Sequence, residues 1–288
     1  MNIVMSGSTG FIGSHLAKVF GEKGWRVIAL RREDFGLDDA SFLKKIEETD
    51  VVINLAGASV AERWSEQYKR EMYSSRIDTT RKVVRALAKM QRKPEVFISA
   101  SAVGIYKQGG PYTEEDKSFA DDFLGRLALE WEREALKCKE TGVRTVIFRF
   151  GIVLGSDGGA LQKMLVPFRM GLGGVIGDGK QPFSWVHVDD LIRAFIAVIE
   201  DKSFEGIYNL TAPHPTTNEV LAKSLGKALH KPALMRVPEF VLRLQLGEGA
   251  SVLLKGQKAM PKRLVEKGFT FKFTDIEKAI EDLVKTGK

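Results

Sequence analysis

A glycine-rich turn near the start of the chain constrains its fold more than any other sequence feature. The turn runs from Gly7 to Gly13 and directly follows the apolar residues Ile3 to Met5. Apolar residues then recur at the three- and four-residue spacing that is typical of one helix face. Glycines here let the backbone approach a pyrophosphate closely, and the helix N-terminus offers it free N–H groups and a positive dipole end. The pattern predicts a dinucleotide site; the alternative is a glycine-rich turn without a ligand.

Short apolar strands alternate with helical segments through the first half of the chain. We expect strands at residues 26–30, 51–55, 96–98 and 144–148, all of them apolar runs. Such runs are typical of strands that are buried on both faces of a parallel sheet. Since strands that alternate with helices form right-handed crossovers, the sequence predicts an α/β fold with a doubly wound parallel sheet. A ligand would lie beyond the carboxyl ends of its strands.

The pattern changes after the fifth strand. Residues 151–179 are rich in glycine and lose regular periodicity, which predicts a loop-rich segment. Helical patterns return at 189–200, 218–229 and 275–284, and a further strand is expected at 206–210.

Composition and charge exclude several classes of protein. The 288 residues are 44% hydrophobic and 28% charged, which is ordinary for a soluble globular chain, and no apolar run is long enough to span a membrane. The net charge is +7, but the basic residues are scattered among acids, so we expect no nucleic-acid partner. One cysteine, Cys138, and a first strand that begins directly after Met1 predict a cytoplasmic protein without a disulfide or leader. The four histidines are scattered, so we expect no metal site.

Two arginines at the end of the second strand bear on the choice of cofactor. NAD-preferring sites usually place an acid there for the ribose 2′-hydroxyl. This strand ends in Arg31 and Arg32, and guanidinium groups bind a 2′-phosphate through paired hydrogen bonds. The sequence therefore favours NADP(H) over NAD(H); the alternative is two surface arginines in a basic protein.

Four further segments, at 54–57, 99–102, 149–151 and 187–190, complete a recognisable set. Together with the glycine turn, they resemble the extended short-chain dehydrogenase/reductase superfamily, and within it the sugar-nucleotide-epimerase-like branch. The resemblance implies a Rossmann-type NAD(P)-binding domain over residues 1–205, whose loop-rich insertion at 151–185 contributes to the substrate cleft. It also implies a smaller C-terminal α/β lobe on the substrate side, over residues 206–288.

The resemblance also assigns cofactor contacts by motif match. Arg76 stands where many members of the superfamily carry an asparagine that faces the cofactor. Glu71, five residues earlier, could pair with Arg76 or bind a ribose hydroxyl; alternatively, both are charges on an exposed helix. The remaining contacts implied by motif match are Gly7, Thr9, Gly10, Phe11, Ile12, Gly13, Asn54, Leu55, Ala56 and Gly57.

The superfamily's usual tyrosine and lysine, four residues apart on one helix, are missing. None of the five tyrosines is followed by lysine at that spacing, and the matching positions hold Asp122 and Arg126. Ser101 matches the serine that orients the reactive oxygen. Tyr106 could supply a phenol from another direction; the alternative is a structural tyrosine beside the cofactor.

Trp185 and His187 are candidate substrate contacts, because the resemblance places their segment beside the substrate lobe. The alternative for this segment is that Asp189 or Asp190 caps the following helix.

Two functions fit this sequence. The first is an NADP(H)-binding epimerase or oxidoreductase that acts on a small polar molecule, with a nucleotide sugar as one candidate, without the usual tyrosine–lysine pair. The alternative is an NADPH-binding sensor or interaction protein without turnover. The resemblance also allows a homodimer through the helical segments near 65–90 and 119–141.

Overall fold

A computed structural model of the chain describes residues 1–233 and 235–286. Its strands are β1 (Asn2–Ser6), β2 (Arg26–Leu30), β3 (Val51–Asn54), β4 (Val96–Ala102), β5 (Gly109–Tyr112), β6 (Arg144–Phe150), β7 (Ile152–Leu154), β8 (Gly174–Ile176), β9 (Pro182–Phe183), β10 (Trp185–His187), β11 (Gly206–Leu210), β12 (Thr216–Thr217), β13 (Met235–Val237) and β14 (Gln257–Ala259). Its helices are α1 (Phe11–Glu22), α2 (Asp39–Ile46), α3 (Glu66–Ser74), α4 (Ile77–Lys89), α5 (Phe123–Leu136), α6 (Gly159–Arg169), α7 (Val188–Glu200), α8 (Asn218–Leu229), α9 (Glu239–Leu246), α10 (Ser251–Leu254), α11 (Lys262–Glu266) and α12 (Ile276–Thr286).

Six parallel strands form the central sheet, in the order β11-β6-β4-β3-β1-β2. The chain moves from β1 to β2 on one side and then returns to β3 on the other side of β1. Strand order therefore reverses between β1 and β3, which opens a crevice at their carboxyl ends. The prediction of a doubly wound parallel sheet is confirmed.

The two faces of this sheet carry separate parts of the core. Ile3 and Met5 of β1 pack with apolar residues of α1 and α7, whereas Val4 packs with residues of α2 and α4. Successive side chains of a strand point to opposite faces, so a continuous apolar run buries both. This arrangement explains why β1 and β3 read as uninterrupted apolar segments.

The segment expected to be loop-rich contains regular structure. Helix α6 and the short strands β7, β8 and β9 lie within residues 151–185. These strands have two or three residues each, which is too few to produce a clear periodicity in the sequence. They pair with β10, β13 and β12 in separate two-stranded sheets.

Strand β11 lies at the edge of the central sheet. It pairs with β6 from Gly206 to Leu210. The sequence-based division between residues 205 and 206 puts this strand in the C-terminal lobe, whereas its hydrogen bonds place it in the cofactor-side sheet. We propose that the C-terminal lobe begins after β11.

Several contacts attach the C-terminal segment to the sheet domain, and two of them involve backbone groups of that segment. The buried carboxylate of Asp190 in α7 accepts hydrogen bonds from the backbone N–H groups of Lys272, at 2.7 Å, and Phe273, at 2.8 Å. Strand β14 pairs with β5, which follows β4 in the chain. Of the helices described, none is both long and apolar enough to cross a membrane.

Candidate active site

The glycine turn lies at the point where strand order reverses. Gly7 has a φ of +69°, and a Cβ on it would lie 3.0 Å from the backbone of Leu55 at the end of β3. A Cβ on Gly13 would lie 2.1 Å from the carbonyl oxygen of Gly7. The left-handed backbone at Gly7 and the 2.1 Å contact at Gly13 both exclude a side chain, so the turn requires glycine at these positions. The turn thereby leaves the first N–H groups of α1 open at the crevice.

Ser6 joins the ends of β1 and β3, a role that the sequence analysis missed. Its hydroxyl donates to Asn54 Oδ1 at 2.6 Å and accepts the N–H groups of Leu55 and Ala56, each at 3.1 Å. Asn54 in turn donates to Thr80 Oγ1 at 2.7 Å. The side chain of Asn54 therefore links Ser6, at the end of β1, to Thr80 in α4. The signal for Ser6 was its position directly before Gly7.

A cavity of about 570 Å³ extends from the glycine turn across the ends of β4 and β6 to the C-terminal segment. Its wall includes these predicted residues: Gly7, Gly10, Phe11, Ile12, Gly13, Leu55, Gly57, Arg76 and Ser101. Within the described part of the chain, its wall does not include Thr9, Arg31, Arg32, Asn54, Ala56, Glu71, Tyr106, Trp185 or His187. We call the half beside the glycine turn the nucleotide end, and the half beside Ser101 and residues 251–257 the far end.

Arg76 places a positive charge on the wall of the nucleotide end. Its guanidinium donates to the carbonyl oxygens of Ala58, at 2.9 Å, and Met72, at 3.2 Å, and lies over the ring of Trp131. Among the described residues it has no acidic partner within 4.0 Å. Burial lowers the pKa of Arg76 to about 10, so it stays charged at neutral pH. A half-buried cation without an acidic partner favours an anionic ligand.

Glu71 pairs with Arg32, at 3.2 Å, and not with Arg76. The expected Glu71–Arg76 pair is therefore absent from the described contacts. The side chains of Arg31 and Arg32 are 71% and 86% exposed, beyond the end of β2.

Asp34, the second acid after these arginines, is turned away from the crevice. Its carboxylate accepts hydrogen bonds from the backbone N–H of Arg31, at 2.7 Å, and from Lys45. Burial by itself would raise the pKa of Asp34, but these hydrogen bonds hold it below its ordinary value. The end of β2 thus presents the two guanidinium groups, with the exposed Glu33 carboxylate 3.8 Å from Arg31, while Asp34 is held in its own hydrogen bonds.

Ser101 is part of a buried network of charged groups. Its hydroxyl donates to Glu132 Oε1 at 2.6 Å, and Arg149 binds both oxygens of the same carboxylate at 2.7 Å. Arg149 also donates to the hydroxyl of Tyr106 at 2.6 Å. Because the hydroxyl proton of Ser101 points to Glu132, the serine offers a ligand only the lone pairs of its oxygen.

The structure places Tyr106 inside the protein. Its ring is fully buried, and its hydroxyl lies 2.8 Å from the carbonyl oxygen of Thr113 and 3.0 Å from Asn209 Oδ1. Burial raises the pKa of this phenol, against the opposing effect of Arg149. The position supports the structural alternative for Tyr106 and gives no support to a proton-donor role.

Trp185 and His187 are likewise buried away from the cavity. Trp185 lies in the core between α6, α8 and α12. The Nδ1 of His187 accepts the N–H of Asp189 at 3.1 Å, and its ring stacks on Phe273. His187, and neither aspartate, therefore caps α7, because Asp189 and Asp190 bind the segment around Lys272 instead.

An ion pair that sequence reasoning missed lies on the wall of the far end. Lys255 Nζ lies 3.2 Å from Asp122 Oδ2, and Asp122 Oδ1 caps α5 by accepting the N–H of Gly125. Arg126, at the second of the two matching positions, instead donates to the carbonyl oxygen of Asp121. No motif in the sequence marks Lys255, and its place directly before Gly256 is the one local signal.

Comparison with known proteins relates this geometry to one family. Residues 3–211 match the NAD dependent epimerase/dehydratase family, and residues 237–283 match a domain of unknown function, DUF1731. The chain is 38% identical to the epimerase family protein YfhF of Bacillus subtilis, over 100% of this chain and 99% of that protein. The crystal structure of human epimerase family protein SDR39U1 with NADPH is 30% identical, with a TM-score of 0.92 over 99% of both chains. UDP-glucuronic acid 4-epimerase from Bacillus cereus, solved with NAD, shares the fold, with a TM-score of 0.80 at 18% identity over 100% of both chains.

Proposed function

Because the chain belongs to the NAD dependent epimerase/dehydratase family, we propose that it binds NADP(H) in the cavity and catalyses oxidation–reduction on a small molecule. The observation that carries this proposal is the continuity of the cavity, which joins the glycine turn to Ser101 and the C-terminal segment. A dinucleotide at the turn would thus share one space with a second molecule at the far end.

The residues at the nucleotide end fit a dinucleotide. Gly7 and Gly13 let the turn pack closely on itself and on the backbone of Leu55, and the free N–H groups of α1 lie beside the cavity. Arg76 adds a half-buried positive charge without an acidic partner among the described residues. When bound, NADP(H) supplies or accepts a hydride; the chain's own residues bind its phosphates, exclude water and hold the second molecule.

Preference for NADP(H) over NAD(H) is part of the proposal. It is supported by the exposed Arg31 and Arg32 and by the withdrawal of Asp34 into its hydrogen bonds with Lys45 and the backbone. Guanidinium groups would bind a 2′-phosphate, which a free carboxylate would repel. The human relative was solved with NADPH.

The wall of the far end bears on the substrate class. It is mostly apolar, and among the described residues that line it, Lys255 is the one cation. A nucleotide sugar would bring a diphosphate that needs more positive charge than this. We therefore propose a small molecule with an apolar body, in place of the nucleotide sugar suggested by the resemblance. The apolar side chains that line the far end include Leu124, Met164, Phe183, Val252 and Leu253.

A second candidate function is NADPH binding without turnover. It is favoured by one observation: the positions that match the tyrosine–lysine pair hold Asp122 and Arg126. Purified protein titrated with NADPH and NADH, followed by absorbance assays against a panel of apolar aldehydes and ketones, separates the two. NADPH oxidation with some panel members supports the enzyme, whereas tight NADPH binding without oxidation supports the sensor. Tighter binding of NADH would overturn the cofactor assignment.

A further inference from the structure

Lys255 is held in place by the tightly packed backbone on its C-terminal side. A Cβ on Gly256 would lie 1.8 Å from the carbonyl oxygen of Pro182, so this backbone is pressed directly against β9. The carbonyl oxygen of Gly256 accepts the N–H of Gly109 at 2.9 Å, and that of Gln257 accepts the hydroxyl of Ser184 at 2.7 Å. These contacts fix where the side chain of Lys255 enters the cavity.

The ammonium of Lys255 keeps donors available for a ligand. It has three N–H groups, and within the described residues its partner is Asp122. The two side chains are 46% and 43% exposed, so their ion pair is formed at the edge of the solvent and is weak. Asp122 therefore orients the ammonium without using all of its donors.

Three of the other polar side chains on the wall already donate their hydrogens to the protein. Ser101 donates to Glu132, and Ser184 donates to the carbonyl oxygen of Gln257. The amide of Gln181 donates to the carbonyl oxygens of Ile176 and Leu253, at 3.2 and 3.3 Å. Lys255 is thus the charged donor at the far end that faces a ligand.

We propose that the far end binds a molecule with a short apolar body through one carboxylate or carbonyl oxygen, and that the Lys255 ammonium binds this oxygen. That the molecule is the substrate rests on the proposed function. The mostly apolar wall and the single cation together define the chemistry: a polar oxygen at Lys255 and a mainly apolar body elsewhere.

Hexanoate is a suitable probe, because it joins one carboxylate to a short apolar chain. Titration calorimetry with the full chain, in the presence of NADP⁺, should show binding that Lys255→Met weakens by about tenfold or more, as expected for loss of a charged hydrogen bond. Lys255→Arg should retain affinity within about threefold, since it keeps the charge. Lys258→Met is the matched control; Lys258 lies three residues later, is exposed and is not on the cavity wall, so its loss should leave affinity unchanged.

A second measurement does not depend on activity. Acetic anhydride should acetylate Lys255 and Lys258, and hexanoate should protect Lys255 alone, as read by peptide mass spectrometry. Equal hexanoate affinity in wild type and Lys255→Met, in variants that melt like wild type, would overturn the proposal, as would absence of hexanoate binding. NADPH titration of the same samples tests the proposed function separately, since failure there with Lys255-dependent hexanoate binding would remove the redox role and leave the site.

Discussion

Ser101 donates its hydroxyl proton to the buried carboxylate of Glu132 over 2.6 Å. The same carboxylate is bound on both oxygens by Arg149, which is as deeply buried. A serine on the cavity wall is thereby fixed in one orientation by an ion pair that lies behind it. The orientation of the Ser101 hydroxyl at the far end thus depends on Glu132 and Arg149, two residues that are not on the cavity wall.

Removal of the Glu132 charge should destabilise the fold strongly. Glu132→Gln leaves the buried Arg149 without its counter-charge, and we expect a loss of about 3–5 kcal/mol in urea unfolding. Glu140→Gln, an exposed site just beyond the same helix, should change stability by less than about 0.5 kcal/mol. The double variant Glu132→Leu/Arg149→Met should be more stable than Glu132→Gln, because no charge is then left unpaired. A double variant less stable than Glu132→Gln would contradict this account.

Gly13→Ala should abolish NADPH binding. The added Cβ would lie 2.1 Å from the Gly7 carbonyl oxygen, so the turn must move away from the position that favours a pyrophosphate. Gly21→Ala, on the same helix with open space around it, should bind NADPH as the wild type does and gain about 0.5–1 kcal/mol in stability. Fluorescence titration measures both, and circular dichroism checks that Gly13→Ala has folded. Unchanged NADPH affinity in a folded Gly13→Ala protein would exclude the turn as the phosphate site.

The two arginines after β2 should determine cofactor preference. Replacement of both Arg31 and Arg32 by alanine should weaken NADPH binding by about tenfold or more, the effect of losing charged hydrogen bonds, and leave NADH binding unchanged. Arg26→Ala serves as the control, since it lies at the opposite end of the same strand. An equal loss of affinity for NADPH and for NADH would show that the two arginines do not bind the 2′-phosphate.

His187 should make the fold less stable in mild acid. Burial lowers the pKa of His187 below its ordinary 6.5, against the opposing charges of Asp189, Asp282 and Asp190. Above pH 6.5 the ring is neutral in both the folded and the unfolded chain, so it adds no pH dependence there. As the pH falls below that value, the unfolded chain binds a proton first, and stability is lost until the folded pKa is reached.

The measurement is urea unfolding at several pH values between about 7 and 5. One such histidine changes the free energy of unfolding by at most about 1.4 kcal/mol per pH unit. His187→Gln should flatten this slope, whatever it does to the stability at neutral pH. His214→Gln, at an exposed position, should leave the slope as it is. An identical slope in the wild type and in His187→Gln would assign the acid sensitivity to other groups. The ammonium of Lys272 also faces the ring of His187, and its charge further lowers the pKa of this histidine.

The features that sequence reasoning predicted well are local in the chain. The glycine turn, β2 and α8 each follow from a continuous pattern of residue types, and the structure has β2 and α8 at the predicted bounds. The turn needs glycine because of contacts within its own few residues and with the neighbouring strand. These elements can be predicted from the sequence because residues that are close together in the chain determine each of them.

Features that depend on residues far apart in the chain could not be predicted from the sequence. Glu132 meets Ser101 across 31 positions, and Lys255 meets Asp122 across 133. Tyr106 lies only five residues from Ser101, yet its side chain points into the protein toward Asn209. Sequence spacing identified residues near the cavity, but which side of the backbone each presents to it depends on packing that the spacing does not encode.

The clasp between Asp190 and the backbone of Lys272 and Phe273 has a consequence for how this chain folds. A fragment that ends at residue 211, where the epimerase/dehydratase match stops, would keep the carboxylate and lose both backbone donors. The carboxylate would keep its bond from Arg193, at 3.1 Å, and each of the two lost hydrogen bonds to the charged group costs about 1.5–3 kcal/mol. We therefore expect the two family regions, although separate in sequence, to unfold together in the full chain.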